Sequence, residues 1–291
     1  MKNLTLENDY LNVNINLLGA ELTSLVDKRD GVEHMWSGDA KFWSRIAPIL
    51  FPCVGESRDG KIEVDRKTYP MGRHGFVRNQ KFSVVTTEAE KVVLELVENE
   101  ETLKSYPFKF RFRVSYTLLE NKLEQHFEVL NTGNEILGFQ VGGHPAFRVP
   151  FNPEERYEDY HIRFEQPLKV DRHLLNDKGL YNGETRNVLN NEDSIGLSYD
   201  LFNEDAFVFK NIQSKQVCIE RKNGGKRLQV DFEGFPHLGI WSVPGADYVC
   251  IEPWVGCADM YNQPTDFFAK DSLIELEPNE TFNAAFTMSL V

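Results

Sequence analysis

Phe108-Lys109-Phe110-Arg111-Phe112-Arg113-Val114-Ser115-Tyr116-Thr117-Leu118-Leu119, continued by Glu120-Asn121-Lys122-Leu123-Glu124-Gln125-His126-Phe127-Glu128-Val129, decides the fold class. Apolar side chains at 108, 110, 112, 114, 116 and 118 alternate with polar ones, and Leu123, Phe127 and Val129 resume the alternation after the turn. A period of two puts one face of each segment against a core and the other in water, which is a strand, and the polar turn makes the pair a hairpin. Leu11, Val13, Ile15 and Leu17 repeat the pattern. Further strands are expected over 92–97, 136–142, 216–221, 227–232, 238–243, 247–252 and 281–290, with Asn223-Gly224-Gly225 as a hairpin turn. No segment holds an i, i+3, i+4, i+7 apolar stripe for a dozen residues, and only short helical turns are expected, near 39–44, 100–105 and 264–268. The expected architecture is all-β, a large antiparallel β-sandwich, read as a single domain over 1–291. The polar stretches near 150–160 and 176–196 read as surface loops.

The chain has 291 residues and a formal charge of −13. That balance argues against nucleic acid and anionic membrane surfaces as partners, since both attract a positive field. No apolar run approaches the ~20 residues needed to span a bilayer. Met1-Lys2-Asn3-Leu4-Thr5-Leu6-Glu7 lacks the apolar stretch of a secretory signal, so a cytoplasmic location is expected. Cys53, Cys218, Cys250 and Cys257 form no CxxC pair and are expected to be buried, reduced thiols.

Three segments carry candidate chemistry. Tyr248-Val249-Cys250-Ile251-Glu252-Pro253-Trp254-Val255 is apolar except for Glu252. A carboxylate there would be desolvated and its pKa raised, as suits a general base; the alternative is a structural glutamate paired with an arginine. Val141-Gly142-Gly143-His144-Pro145 ends a strand in two glycines, which let a backbone approach a ligand closely, and then presents a histidine. His144 reads as an acid, a base or a donor, or as a histidine satisfied in the core. Gly72-Arg73-His74-Gly75-Phe76-Val77-Arg78-Asn79 offers donors between glycines, or is an ordinary surface loop. Between 41 and 81 nine basic residues face four acidic ones, a net +5 within an acidic chain. Such a segment suits an anionic small ligand such as a sugar phosphate, or is a solvated surface. There is no HxH, HExxH or CxxC spacing, so no metal site is expected. No GxSxG elbow, GxGxxG or phosphate-binding loop occurs.

Taken together, Gly19-Ala20-Glu21-Leu22, Arg73-His74-Gly75-Phe76, Gly143-His144-Pro145-Ala146-Phe147 and Gly239-Ile240-Trp241-Ser242 leading into Glu252-Pro253-Trp254 resemble the aldose 1-epimerase, or galactose mutarotase-like, family, and within it the LacX-type group. The resemblance implies a β-supersandwich with a sugar cleft and a cofactor-free interconversion of the α and β anomers of an aldose. It implies Glu252 as general base, His144 as general acid, and His74 and Asp205 as groups that hold the sugar. For that reaction two proton-transfer groups on opposite sides of the sugar suffice, and His144 can be protonated near neutrality. Trp241 and Trp254 are candidates to pack on sugar faces. Around Arg45-Ile46-Ala47-Pro48-Ile49-Leu50-Phe51-Pro52 and His74-Gly75-Phe76-Val77-Arg78-Asn79 the pattern is more similar to hexose-6-phosphate epimerases, in which arginines matching Arg45 and Arg78 contact substrate. A noncatalytic sugar-binding or sensing protein on the same fold is a third reading.

Overall fold

The structure, a computed structural model, describes residues 3–225 and 227–291; Met1 and Lys2, on which the reading of the N-terminus begins, lie outside the described residues. The deciding hairpin forms as expected, with strands Phe110–Leu119 and Lys122–Asn131 paired antiparallel from Phe110↔Asn131 to Leu119↔Lys122. Burial alternates along both strands, so the sequence pattern is the packing pattern.

This hairpin belongs to a fifteen-stranded antiparallel sheet. Its spatial order begins Ile49–Leu50, Val141–Gly143, Tyr248–Val255, His237–Trp241, Phe207–Phe209, and continues through Tyr160–Leu175, Gln216–Arg221, Arg227–Asp231 and Thr281–Leu290 to the hairpin. The sheet curls until its beginning packs on its far end: Phe51, next to Ile49–Leu50, stacks on Phe112 of the hairpin with centroids 4.7 Å apart. Aromatic rings fill the space between, including Phe127 against Phe286 and Phe139 against Phe282. A second sheet of four strands, from Asn3–Glu7 to Val32–Glu33, is tied on through the Tyr116 hydroxyl, which donates to the Ala20 carbonyl at 2.8 Å. The result is the large antiparallel sandwich expected. All four cysteines are free and buried. Among the described residues, no helix is long and apolar enough to cross a membrane.

Two expectations need correction. The segment 136–142 is two strands, Leu137–Phe139 in a small separate sheet and Val141–Gly143 in the large one. Between them Gln140 turns inward: its Oε1 accepts from the Val54 N–H and its Nε2 donates to the Asp271 carbonyl. The stretch 176–196 is not a loop. Tyr160–Leu175 and Tyr181–Gly196 form a sixteen-by-sixteen-residue hairpin. Several register shifts interrupt its pairing, and most of its second strand faces solvent, so no period-two signal survives in the sequence.

The segments around 56 and 259 are pinned by one buried ion pair. Lys270 Nζ bonds Asp259 Oδ1 with both side chains almost fully buried. Asp259 also accepts from the Arg58 N–H through Oδ2 at 2.9 Å, and its backbone bonds Glu56 and Tyr181. Breaking such a pair leaves an uncompensated charge out of water. Asp259→Asn should therefore destabilise the protein by about 3 kcal/mol or more in denaturant unfolding. A loss below about 1 kcal/mol, the range of an exposed pair, would contradict this.

Candidate functional site

The strand Tyr248–Val255 is buried along nearly its whole length because strands cover both edges: Gly239 lies opposite Glu252 on one side, and Ala146 opposite Cys250 on the other. Trp254 has room only because its neighbours are glycines. A Cβ on Gly239 would sit 2.6 Å from its ring, and one on Gly142 would come equally close. Glu252 is thereby left at the floor of a cleft of about 160 Å³ between this end of the sheet and the loops above it.

His144 sits between the strands Val141–Gly143 and Ala146–Arg148, and its Nε2 lies 3.1 Å from Glu252 Oε2. The contact is close, but Glu252 Oε2 has no hydrogen-bond partner. Burial pushes the Glu252 carboxyl well above its ordinary range, aided by the charge of Asp205. Burial also pushes His144 down to about 3. Both shifts have one cause: the site disfavours charge on either group. Burial thus favours a carboxylic acid beside a neutral imidazole.

His74 is built in by its backbone. It has φ of +63°, and the following Gly75 has φ of +69°. Gly75 is obligatory, because a Cβ there would lie 2.1 Å from the Phe51 carbonyl oxygen. The Gly55 N–H donates to His74 Nδ1 at 3.0 Å, so the proton of the neutral ring is on Nε2. Burial, with the charges of Arg78 and Arg73 adding to it, holds the ring neutral well below its ordinary pKa. His74 is thus fixed as a donor.

Asp205 lines the cleft from a turn with φ of +72° and accepts from the Ala206 N–H at 2.7 Å. The preceding Glu204 is clamped by Arg172 and Arg186 of the long hairpin. Arg78 lines the cleft as well; its Nη2 donates to the Arg73 carbonyl at 2.7 Å, and its Nε has no partner. Arg45 does not reach the cleft wall. It stands behind Arg78, donating to that residue's carbonyl and to Asn79 Oδ1. Lys61 and Lys67, in the hairpin Lys61–Val64/Lys67–Pro70, lie away from the wall, as does Arg66 in its turn. The wall carries Arg73 and Arg78 against Glu56, Asp205 and Glu252, so the basic segment does not make a basic cleft.

The sequence reading missed Trp43, Tyr181 and Glu56, all on the wall. Trp43 stacks on the His144 ring with centroids 5.0 Å apart. The adjacent aromatics Phe42-Trp43, in a stretch without strand or helix periodicity, were the available signal. Cys250 brings a third ligand-type atom to within 4.8 Å of those of His144 and Glu252, a grouping across strands that sequence spacing cannot show. Burial holds its thiol protonated, and it does not line the cleft.

Residues 2–289 match the family model described as aldose 1-epimerase. The plasmid and chromosomal forms of protein LacX from Lactococcus lactis subsp. lactis are each 31% identical to this chain over 297 aligned residues, 99% of each length. A galactose mutarotase related enzyme from Lactobacillus acidophilus is 35% identical with a TM-score of 0.95, over all of this chain and 97% of that one. A galactose mutarotase-like protein from Lactobacillus casei is 31% identical with a TM-score of 0.93, over the whole of both chains.

The carboxyl–imidazole pair has a consequence for stability. Between about pH 4.5 and 6.5 the unfolded chain carries a carboxylate and an imidazolium, hence one proton. The folded pair also carries one, on the carboxyl, so it adds no pH dependence there. Above about 6.5 the unfolded histidine loses its proton while the folded carboxyl keeps it. A carboxyl with a raised folded pKa contributes stability that is lost as pH rises. Glu252→Gln removes that liability. Its unfolding free energy relative to the parent should rise with pH above about 6.5, by up to about 1.4 kcal/mol per pH unit for as long as the folded carboxyl keeps its proton. A margin that stays flat would mean that Glu252 is already ionised in the folded protein.

Proposed function

The chain belongs to the aldose 1-epimerase family, and from that premise we propose that it interconverts the α and β anomers of an unphosphorylated aldose, using Glu252 and His144 as its proton-transfer pair. The observation that carries this reading is the 3.1 Å approach of the two groups at the floor of the cleft. Anomerisation needs a proton taken from O1 and one given to O5. Both oxygens are bonded to C1, so neighbouring groups can serve them together. Glu252 as carboxylate takes the O1 proton, His144 as imidazolium gives its proton to O5, and the C1–O5 bond breaks. C1 is left as the carbonyl of the open chain. Rotation about C1–C2 exposes its other face, and the reverse transfers close the ring.

The pair ends each half-reaction with the one proton with which it began. After ring opening that proton is on Glu252, which is the arrangement burial favours. Burial thus stabilises the open-chain side, where the uncatalysed reaction is least favourable. His74 would donate from Nε2 to a sugar oxygen, and Asp205 would accept from hydroxyls. Trp254 and Trp241 offer apolar wall to the ring. Retention of a matched acid and base favours an enzyme over a sugar sensor. The reading takes the chain as one sandwich domain working in the cytoplasm.

Glu252→Gln should keep the fold and lower anomer interconversion by ~10²-fold or more, measured by anomer-resolved NMR. His144→Asn should lower kcat more than it raises KM, and His74→Asn should raise KM as well. Retention of more than about a tenth of the activity in Glu252→Gln would remove the assignment of the base.

With Glu252 held toward its neutral form, the wall balances Arg73 and Arg78 against Glu56 and Asp205 and offers a phosphate no net positive charge. Glucose and galactose should therefore react at least as fast as their 6-phosphates, and Arg78→Met should weaken binding of the free sugar by about tenfold, the loss of one charged hydrogen bond. A preference for the phosphates that Arg78→Met abolishes and that high salt reduces would establish the hexose-phosphate reading instead.

A further inference from the structure

The proton transfers proposed above require an imidazolium at His144 for ring opening, in surroundings that burial makes hostile to it. The groups facing His144 come from four elements. Glu252 and Cys250 lie on the strand Tyr248–Val255, and only Glu252 favours a cation. His74 and Arg78 come from the loop 72–79; the first is neutral and the second repels a cation. Trp241 meets the ring at 87°, its centroid 5.9 Å away. The fourth element is the loop 38–46. From it Trp43 lies nearly parallel to the imidazole, 30° between planes and 5.0 Å between centroids.

An indole face is the most electron-rich surface a side chain offers, and a cation within about 6 Å of it is attracted, most strongly where water is excluded. The face is also held in position. The Trp43 carbonyl accepts from Trp36 Nε1 at 2.9 Å, its N–H donates to the Asp39 carbonyl at 2.9 Å, and its ring stacks on Tyr248 at 5.8 Å. Trp36 and Tyr248 in turn pack on one another, at 4.7 Å. Trp43 itself lies in a loop, and its ring meets Trp241 edge-on at 5.5 Å as well as the histidine.

We propose that Trp43 is a positioning residue of the reaction: its indole face orients His144 and draws the single proton of the His144–Glu252 pair toward the imidazole. The inference rests on the anomerase reading. It adds a device that offsets burial in the ring-closed complex, where His144 must be charged, while leaving the neutral pair available to the open chain. Glu252 supplies a carboxylate that attracts the same proton back, so the aromatic face biases the position of one proton and does not change the number held.

The test compares Trp43→Leu with Trp43→Phe, which keeps an aromatic face. Two quantities are read: steady-state anomer interconversion of glucose and galactose, and the ¹⁵N chemical shifts of His144 at pH 7 in the protein saturated with 1,5-anhydroglucitol, a ring-closed sugar that cannot open. Trp43→Leu should lower kcat about tenfold with KM within about twofold, and move the His144 nitrogens toward the shifts of a neutral ring. Trp43→Phe should stay within about threefold of the parent in kcat. If Trp43→Leu does not fold, Trp43→Met supplies the nonaromatic comparison. A rise in KM with unchanged kcat would overturn the inference and make Trp43 a sugar platform. Unchanged ¹⁵N shifts would overturn it as well. A parent protein without anomerase activity would sink the function reading, and the ¹⁵N arm would still decide whether Trp43 governs the proton.

Discussion

A carboxyl and an imidazole 3.1 Å apart, both out of water, are the constraint around which the site is built. Neither group could be held there by a surface loop. Glu252 needs a strand covered on both edges, and that strand needs neighbours which leave space on the cleft side. Gly239 and Gly142 provide the space by letting Trp254 lie across them. His144 needs a backbone fixed on both sides, which the short strands before and after it provide. The rest of the sandwich, including the stacking of Phe51 on Phe112, serves to keep those edges closed.

Burial does two kinds of work at this position. It excludes water from the place where a ring would open, and it pushes the two ionisable groups toward the same neutral arrangement from opposite directions. A carboxylate alone would gain basicity from burial but would have nothing to share the proton with. An imidazole alone would simply be neutral. Together they form a two-position proton store whose bias is set by the groups around it, of which Arg78, Asp205 and Trp43 are the nearest adjustable ones. His74 completes the arrangement as a donor whose tautomer is set by the Gly55 N–H.

Much of this is legible in the sequence, for a physical reason. The hairpin around Phe112 and Phe127 reads cleanly because one face is buried and the other wet, and Glu252 stands out as a carboxyl in an apolar strand. The glycine before His144 and the one after His74 mark positions that a Cβ would block. What could not be read are contacts between segments distant in the chain. The approach of Trp43 to His144 joins residues a hundred positions apart, and the third ligand-type atom at Cys250 appears only when strands are paired. The positive charge of the segment 41–81 misled because sequence sums charge along the chain, whereas a ligand meets only the side chains that reach the wall. The strand Tyr181–Gly196 was hidden for the opposite reason to the Phe112 hairpin: solvent on most of its side chains erases the alternation.

That long hairpin supplies Leu175, Gly179 and Tyr181 to the cleft, and its arginines brace the turn bearing Asp205. It meets the rest of the sheet through Tyr160–Phe164 and through His173, so most of its length is paired only with itself. The floor with Glu252 and His144 and the rim above it are therefore carried by separable parts of the chain. Mutational drift in the hairpin can reshape which hydroxyls are accepted without disturbing the strands that hold Glu252 and His144. Two parts with few shared pairings meet at one cleft, so the rim is open to change that the floor is not.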